Sequence, residues 1–340
     1  MKKYIVYAFV AMGLLLSACN NEFDKEVYKH VVGLRAVMHA DGTYPVYLRY
    51  ETGGKAVYNL PVIIGGSTAN QENLNIRISV DPDTLATMNE ERYKLREDLY
   101  YKLLPEEYYR FLNPAEDPEE GKITGICHIP SGVSEGLFDI EFNFENLDLR
   151  YKWVLPLTVD EDAGHTYLPN YRKHYRKAFL RVMPFNDYSG TYGATTMSVS
   201  IEGTDPTTVS SRTFFVVDET TCFFYAGVVS EDYIEREKYK VNVKFNPDGT
   251  LTVTPADPNN EMNFVAGECT YETSSKEDAT DANIVHEYTT VYMSYTYNNF
   301  TDHIDKNGDP ILISYSASGN YTMERKINTL IPDRDQAIQW

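Results

Sequence analysis

Alternation of apolar and polar residues dominates this chain. Asn75-Ile76-Arg77-Ile78-Ser79-Val80 puts every second side chain on one face, the period of a half-buried strand. Stretches 45–50, 56–64, 74–80, 122–129, 137–144 and 153–159 read as strands, parted by Gly, Pro and Asn. One helix interrupts them. Asp81-Pro82-Asp83 is a helix start, with Pro82 in the first turn, where its missing N–H costs nothing. Six or seven short strands with one helical insertion predict an immunoglobulin-like β-sandwich over residues 31–160.

The pattern breaks over 161–187. The stretch 160–164 is acidic and turn-forming, 172–177 is basic, and 178–183 is strand-like and ends at Pro184. This region reads as a linker with a boundary strand, and places the domain break near Pro184. Eight strand candidates follow at 190–202, 211–218, 221–229, 239–246, 250–255, 262–273, 286–298 and 311–323. Turns at Asn246-Pro247-Asp248-Gly249 and Lys306-Asn307-Gly308 fit hairpins. Eight sequential antiparallel strands with one apolar face predict an up-and-down barrel over 188–340, because closure removes the exposed edges. Met197, Val199, Ile201, Val241, Val243, Phe245, Val291, Met293, Ile311 and Ile313 form its inward row. Side chains of that bulk fill an eight-stranded barrel, so the interior is expected to be packed. The chain is therefore expected to be all-β with a short helical insertion.

The N-terminus changes the picture. Lys2 and Lys3 precede an apolar stretch, 4–16, too short to span a bilayer. Leu16-Ser17-Ala18-Cys19 resembles a bacterial lipobox. Residues 1–18 would then be a lipoprotein signal peptide, with Cys19 as the lipidation site and several acyl chains holding it to the outer membrane. Residues 19–30 read as an acidic tether, and the run Asn20 to Glu26 resembles the surface-export signal of Bacteroidetes lipoproteins.

Charge narrows the partners. The formal charge is −19, and removal of residues 1–18, with two lysines and no acid, takes it to −21. Nucleic-acid binding rests on phosphate neutralisation by Lys and Arg, so no nucleic-acid partner is expected. Beyond Cys19 an odd number of cysteines remains (Cys127, Cys222 and Cys269), each in an apolar run. Buried free thiols are expected, not a disulfide framework. No Cys-x-x-Cys or His-x-x-x-His spacing occurs, and no metal or cofactor is expected. His303-x-Asp305-x-Asn307-Gly308 has calcium-loop spacing, but Ser314 stands where a bidentate Glu is needed, so a hairpin turn is the better reading.

A spaced set of motifs carries a resemblance. Val80-Asp81-Pro82, Leu103-Leu104-Pro105 with Tyr108-Tyr109, Ile129-Pro130-Ser131-Gly132 and Val154-Leu155-Pro156-Leu157 follow in order. Together they resemble the N-terminal sandwich domain, of unknown function, of Bacteroidetes surface lipoproteins. Residues 183–192, ending in Gly190-Thr191-Tyr192, resemble the lipocalin-like C-terminal domain found with it. The resemblance implies a β-sandwich followed by a lipocalin-like β-barrel, encoded with starch-utilisation-type glycan import machinery.

Catalytic signatures are missing. Glycoside hydrolysis needs two carboxylates across the scissile bond. The Asp-x-x-Asp-x-Asp-x-Glu motif of chitinase-like relatives is absent, and roughly 155 residues after Pro184 are too few for a (β/α)₈ barrel. His165, His174 and His303 have no evident nucleophile partner. The chain is expected not to be an enzyme. Tyrosine, at 28 residues in 340, is the remaining signal. Tyr288 and Tyr292 lie on the face opposite Val291 and Met293, with Thr290 and Ser294 beside them, and could form a sugar platform or be ordinary outward residues of a Tyr-rich strand. The expectation is a non-catalytic surface lipoprotein that binds glycan for an import complex. The alternatives are a structural or adhesive accessory contacting partner proteins, and a lipocalin-like carrier of a small apolar ligand.

Overall fold

The computed structural model describes residues 28–331, apart from 150, 195, 202 and 203. The signal peptide, Cys19 and most of the acidic tether lie outside the described residues.

Residues up to Phe185 form two sheets over one core. One sheet runs in the order Val31–Leu34, Lys55–Gly65, Glu135–Asn143, Tyr109–Phe111. The other runs Tyr44–Arg49, Lys177–Phe185, Trp153–Val159, Leu74–Val80, Thr124–Ile129, with Lys102–Leu103 beside Trp153–Val159. Alternation supplies the filling: Leu60, Val62, Phe138 and Ile140 from one sheet meet Ile76, Ile78, Leu155 and Leu180 from the other. Trp153–Val159 is apolar almost throughout because both of its faces are covered. On its outer side Val154 and Phe179 pack against Leu85 and Tyr101. Leu85 belongs to the helix Pro82–Tyr93, which is capped at Asp81: Thr84 donates its N–H and hydroxyl to that carboxylate at 3.3 and 2.8 Å.

The stretch 161–187 is more than a linker. Lys177–Phe185 runs parallel to Tyr44–Arg49 and antiparallel to Trp153–Val159, so it is an interior strand of the first domain. Its basic lead-in masked this, but Lys177 reaches back across the sheet to Asp81 and Thr84.

After Phe185 the chain forms a curled sheet with one inner face. Gly190–Ala194, Ser211–Val216, Thr221–Tyr225, Lys240–Phe245 and Leu251–Pro255 pair in sequence. Ile284–Ile304 and Pro310–Asn328 make a long hairpin, flanked by Thr270–Glu277 on one side and Gly190–Ala194 on the other. The pairing returns on itself where Thr250 bridges Thr270 and the Leu251 N–H donates to the Cys269 carbonyl at 3.0 Å. The inside is filled by Tyr192, Phe214, Phe224, Tyr295 and Tyr321, all under 4 % exposed, and by the expected row from Met197 to Met293 apart from Ile201, which is half-buried.

Two members of that row are placed differently. Ile311 is 44 % exposed and Ile313 is half-buried. They have the parity of the inward Ala317, Tyr321 and Met323, but they lie toward the tip of the hairpin, outside the buried core. Cys127, Cys222 and Cys269 are buried free thiols, and burial pushes the Cys127 thiol up to about 12.

The junction is tightly bonded. Asn186, almost fully buried, donates from Nδ2 to the Asp218 and Thr221 carbonyls at 2.7 and 3.3 Å. Its Oδ1 accepts the Tyr188 and Ser189 N–H groups at 2.9 and 2.8 Å. Phe185 lies under the guanidinium groups of Arg49 and Arg325, 5.1 and 5.7 Å from the ring centroid. Asp187 pairs with Arg49 at 2.6 Å.

Candidate functional site: an aromatic cleft between the domains

A cleft lies where the two domains meet. Its first wall is built by backbone pairing. Asn89, buried on the helix, donates Nδ2 to the Tyr101 carbonyl at 2.8 Å and accepts the Tyr101 N–H at 2.9 Å. That clamp feeds the next residues into a parallel pairing of Lys102–Leu103 with Trp153–Val154. Tyr100 and Tyr151, each two residues before its paired segment, therefore share one rim. The Lys102 ammonium sits 3.3 Å from the Tyr151 ring centroid and holds that ring. Tyr100 rests on Tyr93, centroids 6.2 Å apart, and donates its hydroxyl to the Lys94 carbonyl at 2.5 Å.

The second wall is the outer face of the curled sheet. Phe215 stacks on Phe223 at 5.0 Å, and Phe223 meets Tyr225 edge-on at 5.8 Å. Lys240 extends over Phe223 at 4.0 Å. These rings point away from the inside of the curled sheet, yet Phe223 and Tyr225 are buried, because the first domain covers them.

The loop from Ala226 to Tyr239 completes the cleft and is anchored inside the curled sheet. Arg212 donates to the Val229 carbonyl at 2.6 Å and also to the Gly227 carbonyl. Tyr295 offers its hydroxyl to the Gly227 N–H at 3.0 Å. Gly227 has φ +59°, and a Cβ there would lie 1.7 Å from the Tyr297 hydroxyl, so only glycine fits.

Charges in the cleft are mostly paired. Arg96 grips Asp98 through two bonds of 2.9 and 2.7 Å and holds that carboxyl below its usual value. Lys152 pairs with Asp232 across the domains at 3.3 Å, and Arg181 faces Asp41 at 3.8 Å. Arg236 differs. It is 9 % exposed, bonds the Tyr233 carbonyl at 3.1 Å, and its Nε has no partner. Such a cleft can stack a ring, bond hydroxyls and offer the Arg236 guanidinium; the carboxylates of Asp98 and Asp232 are already held.

Tyr288 and Tyr292 stand outward, as their parity requires, on the far hairpin and not in the cleft. Tyr292 is 41 % exposed, and its hydroxyl donates to Glu272 at 2.6 Å. Tyr288 is half-buried and donates to Glu324 at 3.4 Å. Thr290 shares a hydrogen bond with Thr322 at 3.0 Å. Beside them His286 lies between two acids, with Nδ1 2.5 Å from Glu324 and Nε2 2.7 Å from Asp278. Its pKa is raised, first by Glu324 and then by Asp278. Among the described residues no group of three or more His, Cys, Asp or Glu could hold a metal ion, and no helix is long and apolar enough to cross a membrane.

No local pattern singles out Arg236 or the second wall. Arg236 lies in a polar loop, and Phe215, Phe223 and Tyr225 look like any outward strand residues until the other domain covers them.

This architecture defines a two-domain, β-rich protein with a cleft between its domains. A family model described as a domain of unknown function (DUF4973) matches residues 23–163, and one described as a C-terminal domain matches 176–327. A protein of unknown function from Bacteroides ovatus is 40 % identical, with a TM-score of 0.79 over 92 % of this chain and 100 % of its own. A multidomain protein including DUF1735, also from B. ovatus, is 40 % identical, with a TM-score of 0.78 over 91 % of this chain and 99 % of its own. An auxiliary nutrient binding protein from Bacteroides thetaiotaomicron is 32 % identical, with a TM-score of 0.74 over 89 % of this chain and 97 % of its own. No curated protein matches. The chain belongs to this family of two-domain Bacteroides proteins.

Proposed function

We propose that this protein is a non-catalytic surface lipoprotein, anchored in the outer membrane through Cys19, that holds a glycan as an accessory of a glycan import complex. We read its first domain as an immunoglobulin-like sandwich and its second as a lipocalin-like barrel. The observation that carries the reading is the cleft, where Tyr100 and Tyr151 offer ring faces beside polar and charged groups. Sugars present CH faces and hydroxyls together, and such a wall meets both. The 32 %-identical auxiliary nutrient binding protein supports an accessory role. Paired carboxylates at Asp98 and Asp232 favour binding over acid–base chemistry. Packed aromatic rings inside the second domain speak against an apolar ligand there.

Calorimetry of residues 20–340 against a panel of oligosaccharides tests the site. Tyr100→Ala with Tyr151→Ala should weaken binding by about 1–3 kcal/mol, the scale of stacking on aromatic rings. Unchanged affinity in that variant would remove the cleft from consideration. Cys19→Ala should release the protein from the membrane fraction; retention would overturn the anchor.

A further inference from the structure

Resting on the reading of the cleft as a glycan site, we infer that its ligand carries an anionic group, a uronate-type carboxylate or a sulfate ester, and that Arg236 receives it. A guanidinium has five donors in a planar fork, and burial without acceptors is costly. Arg236 is 91 % removed from solvent by the residue's 9 % exposure, yet it has a single hydrogen bond, to a neutral carbonyl, and no carboxylate partner among the described residues. Its Nε has none.

Other arginines with an unpartnered Nε are explained by the fold. Arg325 and Arg49 lie over the Phe185 ring, and Arg325 also bonds the Asn186 and Ser189 carbonyls at 2.5 and 2.6 Å. Arg212 spends its terminal nitrogens on the loop carbonyls. Arg236 alone of the four lines the cleft.

The neighbouring charges agree. Asp98 feels the field of Arg236 but is already gripped by Arg96. Asp232 is engaged by Lys152. Glu231 is exposed at the loop surface. No inner acid is left to neutralise Arg236, so a ligand anion completes it. The fork geometry fits a planar carboxylate through two parallel bonds and accepts a sulfate as well. Tyr100 and Tyr151 would stack the ring that carries that anion. The net charge of −19 opposes an acidic ligand at long range, so a preference for one has to come from contacts inside the cleft.

The test is calorimetry with three probes of matched length: an oligogalacturonate, a chondroitin-type sulfated oligosaccharide and a neutral malto-oligosaccharide. At least one acidic probe should bind about tenfold or more tightly than the neutral one, and which one separates carboxylate from sulfate. Arg236→Gln should abolish that preference. If Arg236→Gln fails to fold, raising NaCl from about 0.05 to about 0.5 M should weaken acidic-probe binding to the wild type and leave neutral binding little changed. Binding that favours the neutral probe, with no salt dependence, would overturn the anionic inference and leave the glycan cleft standing. No binding of any probe would overturn both.

Discussion

Two rows of aromatic side chains stand on the outside of the same curled sheet, and they have opposite fates. Phe215 and Tyr225 on Ser211–Val216 and Thr221–Tyr225 line the cleft, with Phe223 packed against both of them. Tyr288 and Tyr292 on the far hairpin stay at the surface and satisfy their hydroxyls on Glu324 and Glu272. Parity along the strand is the same in both rows. Strand period therefore sets which way a ring points, and domain docking sets whether that direction is solvent, core or site.

The largest expected contrast is in stability. Phe223 is 1 % exposed, so Phe223→Ala should cost about 3 kcal/mol, the scale of a buried Phe truncation. Tyr292→Ala at 41 % exposure should stay within about 0.5 kcal/mol. Urea denaturation of both variants measures this, and equal losses would erase the distinction between the rows.

Next in size is the junction that brings the first row under cover. Asn186→Ala removes the acceptor of two N–H groups and the donor to two carbonyls, and should cost about 2 kcal/mol. It should also open the 185–189 segment to limited proteolysis, at which the wild type should resist. Rapid cleavage of the wild type there would mean that the domains are loosely joined and the first row only transiently covered.

The smallest effect belongs to the second row. His286 has its pKa raised above 6.5 by Glu324 and Asp278, so its contribution to stability is present below pH 6.5 and fades as pH rises through the raised value. Asp278, held first by Thr280 and then by His286, and Glu324, held first by His286, are both lowered. Their contributions are present above the ordinary carboxylate range and fade only as pH falls through the lowered values. The hairpin end is thus firmest between these limits. Wild-type melting temperature should drop slightly from about pH 6 to about pH 9, and His286→Phe should flatten that slope. An identical slope in both would show that the cluster contributes nothing.

Much of the fold was legible locally. The strand candidates at 74–80, 153–159 and 239–246 appear as strands Leu74–Val80, Trp153–Val159 and Lys240–Phe245, and Asp81-Pro82 starts the helix it announces. Local chemistry suffices there: a period of two, a proline that needs no N–H, and a carboxylate that caps its own turn. Lys177–Phe185 was harder, because its place between Tyr44–Arg49 and Trp153–Val159 depends on partners far away in the chain. Ile311 and Ile313 kept the right parity and lost their burial, since parity says nothing about where a neighbouring layer ends.

The sequence by itself determined the β character, the helix start and the side of each strand that is apolar, because those follow from covalent geometry and nearest neighbours. Tertiary structure alone decided the candidate site. Tyr100 and Tyr151 share a rim only through the Asn89 clamp and a parallel pairing between segments some fifty residues apart. Arg236 is short of partners because a loop latched by Arg212 and Tyr295 carries it into a sheltered place where no carboxylate among the described residues forms an ion pair with it. Burial and pairing are sums over distant neighbours, and a one-dimensional pattern does not contain them.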